Sequence, residues 1–134
     1  MASAPTLNEA GRVTTTMVII DDDSGFRRAA AGLFESRGVH VLAYSVDGTS
    51  GIDAVRRHRP AWVLLDVNLP DQDGLTVARA LRQHAPSSSI LLTSTGESPW
   101  SETELAEAGV RMYVDKDRLS DPEILNVILR ENSA

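Results

Sequence analysis

An α/β fold, with parallel strands joined by helical crossovers, is what this sequence predicts. Three observations carry that reading. Short apolar runs without charge, such as Trp62-Val63-Leu64-Leu65, end on carboxylates, the pattern of strands buried on both faces. Between them lie stretches whose apolar residues recur on a helical period. The two kinds of segment alternate along 134 residues, a length that suits one domain with one sizeable core. Short strands linked by helices require a parallel sheet with right-handed crossovers.

The elements follow in order. Residues 1–15 are small and polar, with Pro5, Asn8 and Gly11, and are expected to form a disordered tail ahead of a domain spanning 16–132. Met17 to Ile20 is a short strand ended by Asp21-Asp22-Asp23. Ser24 to Arg37 is a helix with Phe26, Ala29, Ala30, Leu33 and Phe34 on one stripe, stopped by Gly38. Val39 to Tyr44 is a second strand, and Asp47-Gly48 reads as a turn. Ser50 to Arg59 is a helix with Ile52 and Val55 inward, ended by Pro60.

Trp62 to Asp66 is the central strand. It ends where a buried strand reaches the surface, and Pro70, Asp71 and Gly74 supply loop chemistry after it. Leu75 to His84 is a helix with Leu75, Ala78 and Leu81 on one face. Ile90 to Thr93 is a fourth strand that reaches Ser94. Pro99 to Ala108 is a weak acidic helix closed by Gly109, and Arg111 to Val114 a fifth strand leading into Asp115-Lys116-Asp117. Ser120-Asp121-Pro122-Glu123 has the capping-box spacing. Ile124, Leu125, Ile128 and Leu129 give the last helix its apolar face.

Composition narrows the function. A net charge of −6 argues against direct nucleic-acid binding, which needs a basic face. Without cysteine there is no disulfide framework and no thiolate metal site. No apolar run at the start serves as a signal peptide, and none could span a bilayer; a cytoplasmic protein with no membrane partner is the expectation. His40, His58 and His84 lack metal-ligand spacing and read as solvated or packing residues. Of 13 basic side chains only Lys116 is lysine. An arginine-rich composition explains that, and so does a site that needs a compact point charge.

The strand ends collect the chemistry. Asp21 and Asp22 follow strand one, Asp66 strand three, Ser94 strand four and Lys116 strand five. In open α/β sheets ligands bind at that rim. Clustered carboxylates raise one another's pKa unless a cation joins them, and a hard divalent ion such as Mg²⁺ suits an all-oxygen set. Such an ion and the lysine ammonium would together neutralise charge on the oxygens of a phosphoryl group. Each residue also has a plain structural use. Asp22 or Asp23 could cap the first helix, Asp66 could form a loop, Lys116 could pair with Asp115 or Asp117, and Ser94 could be a turn hydroxyl. Their joint occurrence at alternate strand ends favours the site.

With IIDDDSGFRR, LLDVNLPDQDG, Ser94 after strand four and AGVRMYVDKD, the chain resembles the receiver domains of bacterial two-component response regulators from Met17 to about Asn132. The resemblance implies a doubly wound flavodoxin-like sheet in the order 2-1-3-4-5. It implies that Asp66 is the phospho-accepting aspartate. It implies that Asp21, Asp22, Asp66 and the backbone carbonyl of Asn68 bind Mg²⁺. By the same resemblance Ser94, with Thr95 beside it, is the switch hydroxyl, Lys116 the family's lysine at the site, acting with Asp66 in catalysis, and Tyr113 the aromatic switch. Pro70, Asp73 and Gly74 match the turn after the acceptor. A histidine kinase or a phosphotransfer protein would be the donor. The face of helix four, strand five and helix five, including Trp100, would engage a downstream protein or a second copy.

Two features depart from the commoner pattern. Lys116 is followed by Asp117 rather than proline, as in regulators that carry helix-turn-helix domains, so the chain is either a stand-alone receiver or a piece of such a regulator. Gly96 stands at a position that tunes access to the phosphate in the family. Such a domain is no enzyme beyond its own phosphorylation and dephosphorylation. Two rivals remain. A haloacid dehalogenase-like phosphatase would use Asp21 as nucleophile, but Gly25 stands where Thr or Val is expected. An unphosphorylated pseudo-receiver would have lost Asp66, Lys116 or an acidic-pair residue, and all are present.

Overall fold

The computed structural model describes residues 14–130. Five parallel strands form one sheet in the order β2-β1-β3-β4-β5: β1 (Thr16–Ile20), β2 (His40–Ser45), β3 (Trp62–Asp66), β4 (Ser89–Ser94) and β5 (Val110–Asp115). Between and after them run α1 (Ser24–Ser36), α2 (Gly48–His58), α3 (Gly74–His84), α4 (Glu102–Glu107), a 3₁₀ turn (Lys116–Arg118) and α5 (Pro122–Arg130). The disordered-tail expectation for residues 1–13, and the last two residues of the expected domain, lie outside the described residues. Thr15 is buried and its carbonyl accepts the His40 N–H at 2.8 Å, so sheet contacts begin just ahead of β1.

The sheet divides the core into two layers. On one face Met17, Ile19, Trp62 and Leu64 meet Ala30, Ala31 and Phe34 of α1 and Ile124, Leu125 and Ile128 of α5. On the other Val18, Ile20, Val63 and Leu65 meet α2, α3 and α4 through Val55, Val77, Leu81 and Leu105. All five β3 residues are buried, because the central strand has a neighbour on each side and helices above and below. That explains why its sequence runs apolar without alternation. The strand order switches between β1 and β3, with β2 added on one side of β1 and β3 to β5 on the other, and in such sheets the crevice at the switch point lies at the strands' carboxyl ends.

Several boundaries differ from the sequence expectation. Asp47-Gly48 is the start of α2 rather than a separate turn: Asp47 Oδ1 accepts the Ser50 N–H at 2.8 Å as N-cap, a second use of the same residue pair. Ala29 is exposed, because the α1 stripe centres on Ala30 and Phe34. Helix α4 has only six residues. Ser98 Oγ takes the Trp100 N–H, and the Ser101–Glu104 capping box starts the helix after Pro99. Asp121, not Ser120, directly precedes α5, and its carboxylate accepts Arg118 Nε at 2.9 Å. Trp100 is half-buried, packed against the α2–α3–α4 layer. No helix among the described residues is long and apolar enough to cross a membrane.

Gly74 joins the fold to the rim. Its N–H donates to Val67 O at 2.7 Å. A Cβ there would lie 2.7 Å from Asp66 O and 2.9 Å from Val67 Cα, backbone atoms that cannot swing aside. Gly74→Ala should therefore destabilise the domain by about 1–3 kcal/mol, the usual cost of overpacking. Urea unfolding checks this: a midpoint equal to wild type would contradict the contact.

Candidate functional site

Burying β1 and β3 in the middle of the sheet delivers their terminal carboxylates to one spot. Asp21 is only 1% exposed and Asp66 7%. One carboxylate oxygen from each of Asp21, Asp22 and Asp66 lies within 4.8 Å of the others. The elements around them are wired to the acidic residues. Asp21 Oδ1 accepts the Asp23 N–H at 2.9 Å, and Asp23 Oδ1 accepts the Phe26 N–H at 3.1 Å as the N-cap of α1. That hydrogen bond holds Asp23 below the ordinary carboxylate range. Arg27 reaches back to Asp21 O at 2.7 Å. Asp23 is thus the capping residue of the triplet, and Asp21 and Asp22 are left for the cluster.

Lys116 enters from the end of β5. Its Nζ lies 2.8 Å from Asp21 Oδ2 and 3.6 Å from Asp66 Oδ1, and 4.3 Å from the centroid of the Phe26 ring. Burial alone would lower the lysine's pKa. The Asp21 hydrogen bond and the Asp66, Asp21 and Asp23 charges outweigh burial, so the ammonium is held more firmly protonated than usual. Both Asp21 oxygens are thereby engaged, which leaves little for a nucleophile. Asp66 is different. Burial and the Asp21 charge, with a smaller push from Asp22, raise its carboxyl to about 6, while Lys116 and the Asn68 N–H pull it down. Three carboxylates make up the cluster and the one ammonium reaches only two of them, Asp21 and Asp66, so the cluster lacks positive charge. An all-oxygen donor set with a charge deficit fits a hard divalent cation.

Of the other expected site residues, Ser94 ends β4. Thr93 pairs with Asp66 and Ser94 with Asp115, so Ser94 stands one step beyond Asp66 in register. Ser94 is buried and Thr95 exposed. Tyr113 packs at the edge of the α2–α3–α4 layer, and its hydroxyl donates to Gly96 O at 3.3 Å. Asn68 and Asp73 form an isolated antiparallel bridge that shapes the loop after β3. His40, His58 and His84 are exposed and away from the cluster.

Three residues escaped the sequence reading. Asp71 accepts the Gly48 N–H at 2.8 Å and the Thr49 N–H at 3.0 Å, tying the loop after β3 to the start of α2. These bonds lower its pKa, the Gly48 N–H most. Asp115 accepts Gly96 N–H at 3.1 Å and Asp117 N–H at 2.9 Å, bracing the loop before α4 and the turn that carries Lys116. Phe26 looked like a core residue alone. Only Ser101-Glu102-Thr103-Glu104 carried a readable signal of the missed local contacts, the capping-box spacing.

The raised Asp66 pKa has a consequence for stability. It lies above the unfolded value of about 3.9, so the folded state holds the proton to higher pH. Its contribution is fully present below about pH 4 and is lost as pH rises through 6. Without divalent cation, wild type should lose on the order of 2 kcal/mol more than Asp66→Asn between pH 4 and 7. Parallel urea-derived stability curves for the two proteins would refute it.

Comparison with known proteins agrees with this geometry. The model of the response regulator receiver domain matches residues 17–129. The transcriptional regulatory protein CseB of Streptomyces coelicolor is 35% identical over 102 residues, 76% of this chain and 43% of that protein. A protein-glutamate methylesterase/protein-glutamine glutaminase of Geobacter sulfurreducens is 35% identical over 82 residues, 60% of this chain and 22% of the relative. The chain thus spans less than half the length of these curated relatives. The crystal structure of the response regulator domain of Thermotoga maritima CheB superposes with a TM-score of 0.78 at 14% identity, covering 90% of this chain and 98% of that one. With the strand order, the acidic rim and the lysine in hand, this chain belongs to the response regulator receiver domain family.

Proposed function

We propose that Asp66 is the phospho-acceptor of this receiver. The observation that carries the reading is a buried carboxylate at the end of the central strand with Lys116 Nζ 3.6 Å away. An Asp66 carboxylate oxygen attacks the phosphorus of a histidine kinase, a phosphotransfer protein or a small phosphodonor such as acetyl phosphate. The bond from phosphorus to the donor's imidazole nitrogen, or to the acetate oxygen, breaks, and an acyl phosphate remains on Asp66. Lys116 meets the charge on the transferring oxygens.

Asp21, Asp22, Asp66 and the backbone carbonyl of Asn68 would hold Mg²⁺. A bound Mg²⁺ supplies the positive charge that the cluster lacks. Asp21, fixed by the Asp23 N–H and by Lys116, serves as a ligand and not as a nucleophile. Ser94 and Thr95 then offer hydroxyls to the new phosphate. Movement of Ser94 would act on Tyr113 and on the Gly96 loop that its hydroxyl bonds, biasing the α4–β5–α5 face. A cavity of about 560 Å³ between the Gly96–Ser98 loop, Tyr113, Arg118 and Ile124 lies on that face, where a downstream protein or a second copy would dock. The chain's own chemistry is limited to gaining and losing this phosphate, in a cytoplasmic setting. Transcriptional or methylesterase output belongs to parts of the relatives that this chain does not span.

Incubation with Mg²⁺ and acetyl phosphate should add one phosphoryl group by intact mass, and Asp66→Asn should abolish the gain. Loss in Asp21→Asn with retention in Asp66→Asn would move the acceptor to Asp21. In the absence of any phosphodonor, Mg²⁺ should raise the melting temperature of wild type through linkage, and raise it less in Asp22→Ala. A flat wild-type response would remove the metal from the reading.

A further inference from the structure

We infer that Phe26 is a positioning residue for Lys116, holding the ammonium between Asp21 and Asp66 by a cation–π contact. The inference rests on the reading of Asp66 as acceptor. The Phe26 ring centroid is 4.3 Å from Lys116 Nζ, well inside the range in which a ring face attracts a cation. The ring is placed by a closed circuit of contacts. Asp21 Oδ1 receives the Asp23 N–H, Asp23 Oδ1 receives the Phe26 N–H, and Lys116 Nζ returns to Asp21 Oδ2 at 2.8 Å. Phe26 is half-buried at the edge of the α1–α5 layer, and the Lys116 side chain is 15% exposed. The ring therefore occupies one side of a flexible four-carbon stem that would otherwise swing toward solvent.

The choice of an aromatic group has a chemical reason. A third carboxylate in that place would hold the ammonium as well, but it would take up an N–H donor and add negative charge against an incoming phosphoryl group. A ring face attracts the cation without accepting a conventional hydrogen bond. The donors not given to Asp21 stay free for phosphoryl oxygens. Phe26 touches neither substrate nor reacting atom and acts through Lys116 alone.

The test compares Phe26→Leu and Phe26→Tyr in the full chain. With saturating Mg²⁺ and acetyl phosphate, the phosphorylation rate of Phe26→Leu should fall roughly three- to thirty-fold, the range expected for a partly desolvated cation–π contact. Phe26→Tyr, which keeps the ring face, should stay within about two-fold of wild type by the same reasoning. More Mg²⁺ should not restore Phe26→Leu. The Lys116 ε-methylene protons should carry an upfield ring-current shift in wild type and Phe26→Tyr, and lose it in Phe26→Leu. A wild-type rate in Phe26→Leu, or equal losses in both variants, overturns the inference, as does an unshifted Lys116 methylene in wild type. If wild type gains phosphate that Asp66→Asn also gains, the acceptor assignment fails instead, while the ring-current comparison still reads the Phe26 contact.

Discussion

The structure depends on one electrostatic constraint: three carboxylates share a rim with a single ammonium. Asp21 and Asp66 are almost fully buried, and removing such charges from water is costly unless they are paired. Lys116 relieves part of that cost by bonding Asp21 and facing Asp66. The relief is incomplete, since one positive charge stands against the three clustered carboxylates and reaches only Asp21 and Asp66. A rim that is stable enough to fold and still short of positive charge is suited to bind a cation and then a phosphoryl group. Under the proposed function, the same imbalance that costs stability would make the protein responsive to a cation and a phosphoryl group.

The loops around the rim are held by carboxylates used in a different way. Asp23 caps α1, Asp47 caps α2, Asp73 caps α3 and Asp71 reaches across to the first amides of α2. Asp115 spans the Gly96 loop and the Lys116 turn. Each of these groups accepts backbone N–H bonds, which satisfies free amides and complements the helix N-termini. The acidic residues thus fall into two sets by what they bond. Those that cap or brace loops hold the scaffold, while Asp21, Asp22 and Asp66 bring their carboxylate oxygens together at the rim.

The geometry also ties the site to a distant face without requiring a large motion. Tyr113 bonds Gly96 O, and Asp115, two residues on, bonds Gly96 N. The two peptide units that flank Gly96, in the loop after β4, are therefore each held by a side chain of β5. Ser94 begins that loop. Under the proposed function, a displacement at the rim would reach the α4–β5–α5 face through two hydrogen bonds to a glycine whose φ of 113° lies where L side chains are rarely found. Helix α4 has six residues and one buried side chain, Leu105, so it has little of its own packing to resist a shift.

Some of this was legible in the residues alone. The alternation of apolar runs and helical stripes determined the five βα pairs, because burial on two faces and burial on one stripe leave different periods. Resemblance to receivers supplied the strand order and the roles expected of Asp66, Asp21, Asp22, Ser94 and Lys116. Local signals were read less well: Asp47-Gly48 suits a turn and a helix start alike, and only the backbone path separates them. Tertiary structure decided the rest. It put Phe26 beneath Lys116, Asp71 on α2 and Tyr113 on Gly96, and it kept Trp100 half-buried. These contacts join segments far apart in the chain. Their existence turns on strand register and helix packing, which no local pattern of residues encodes.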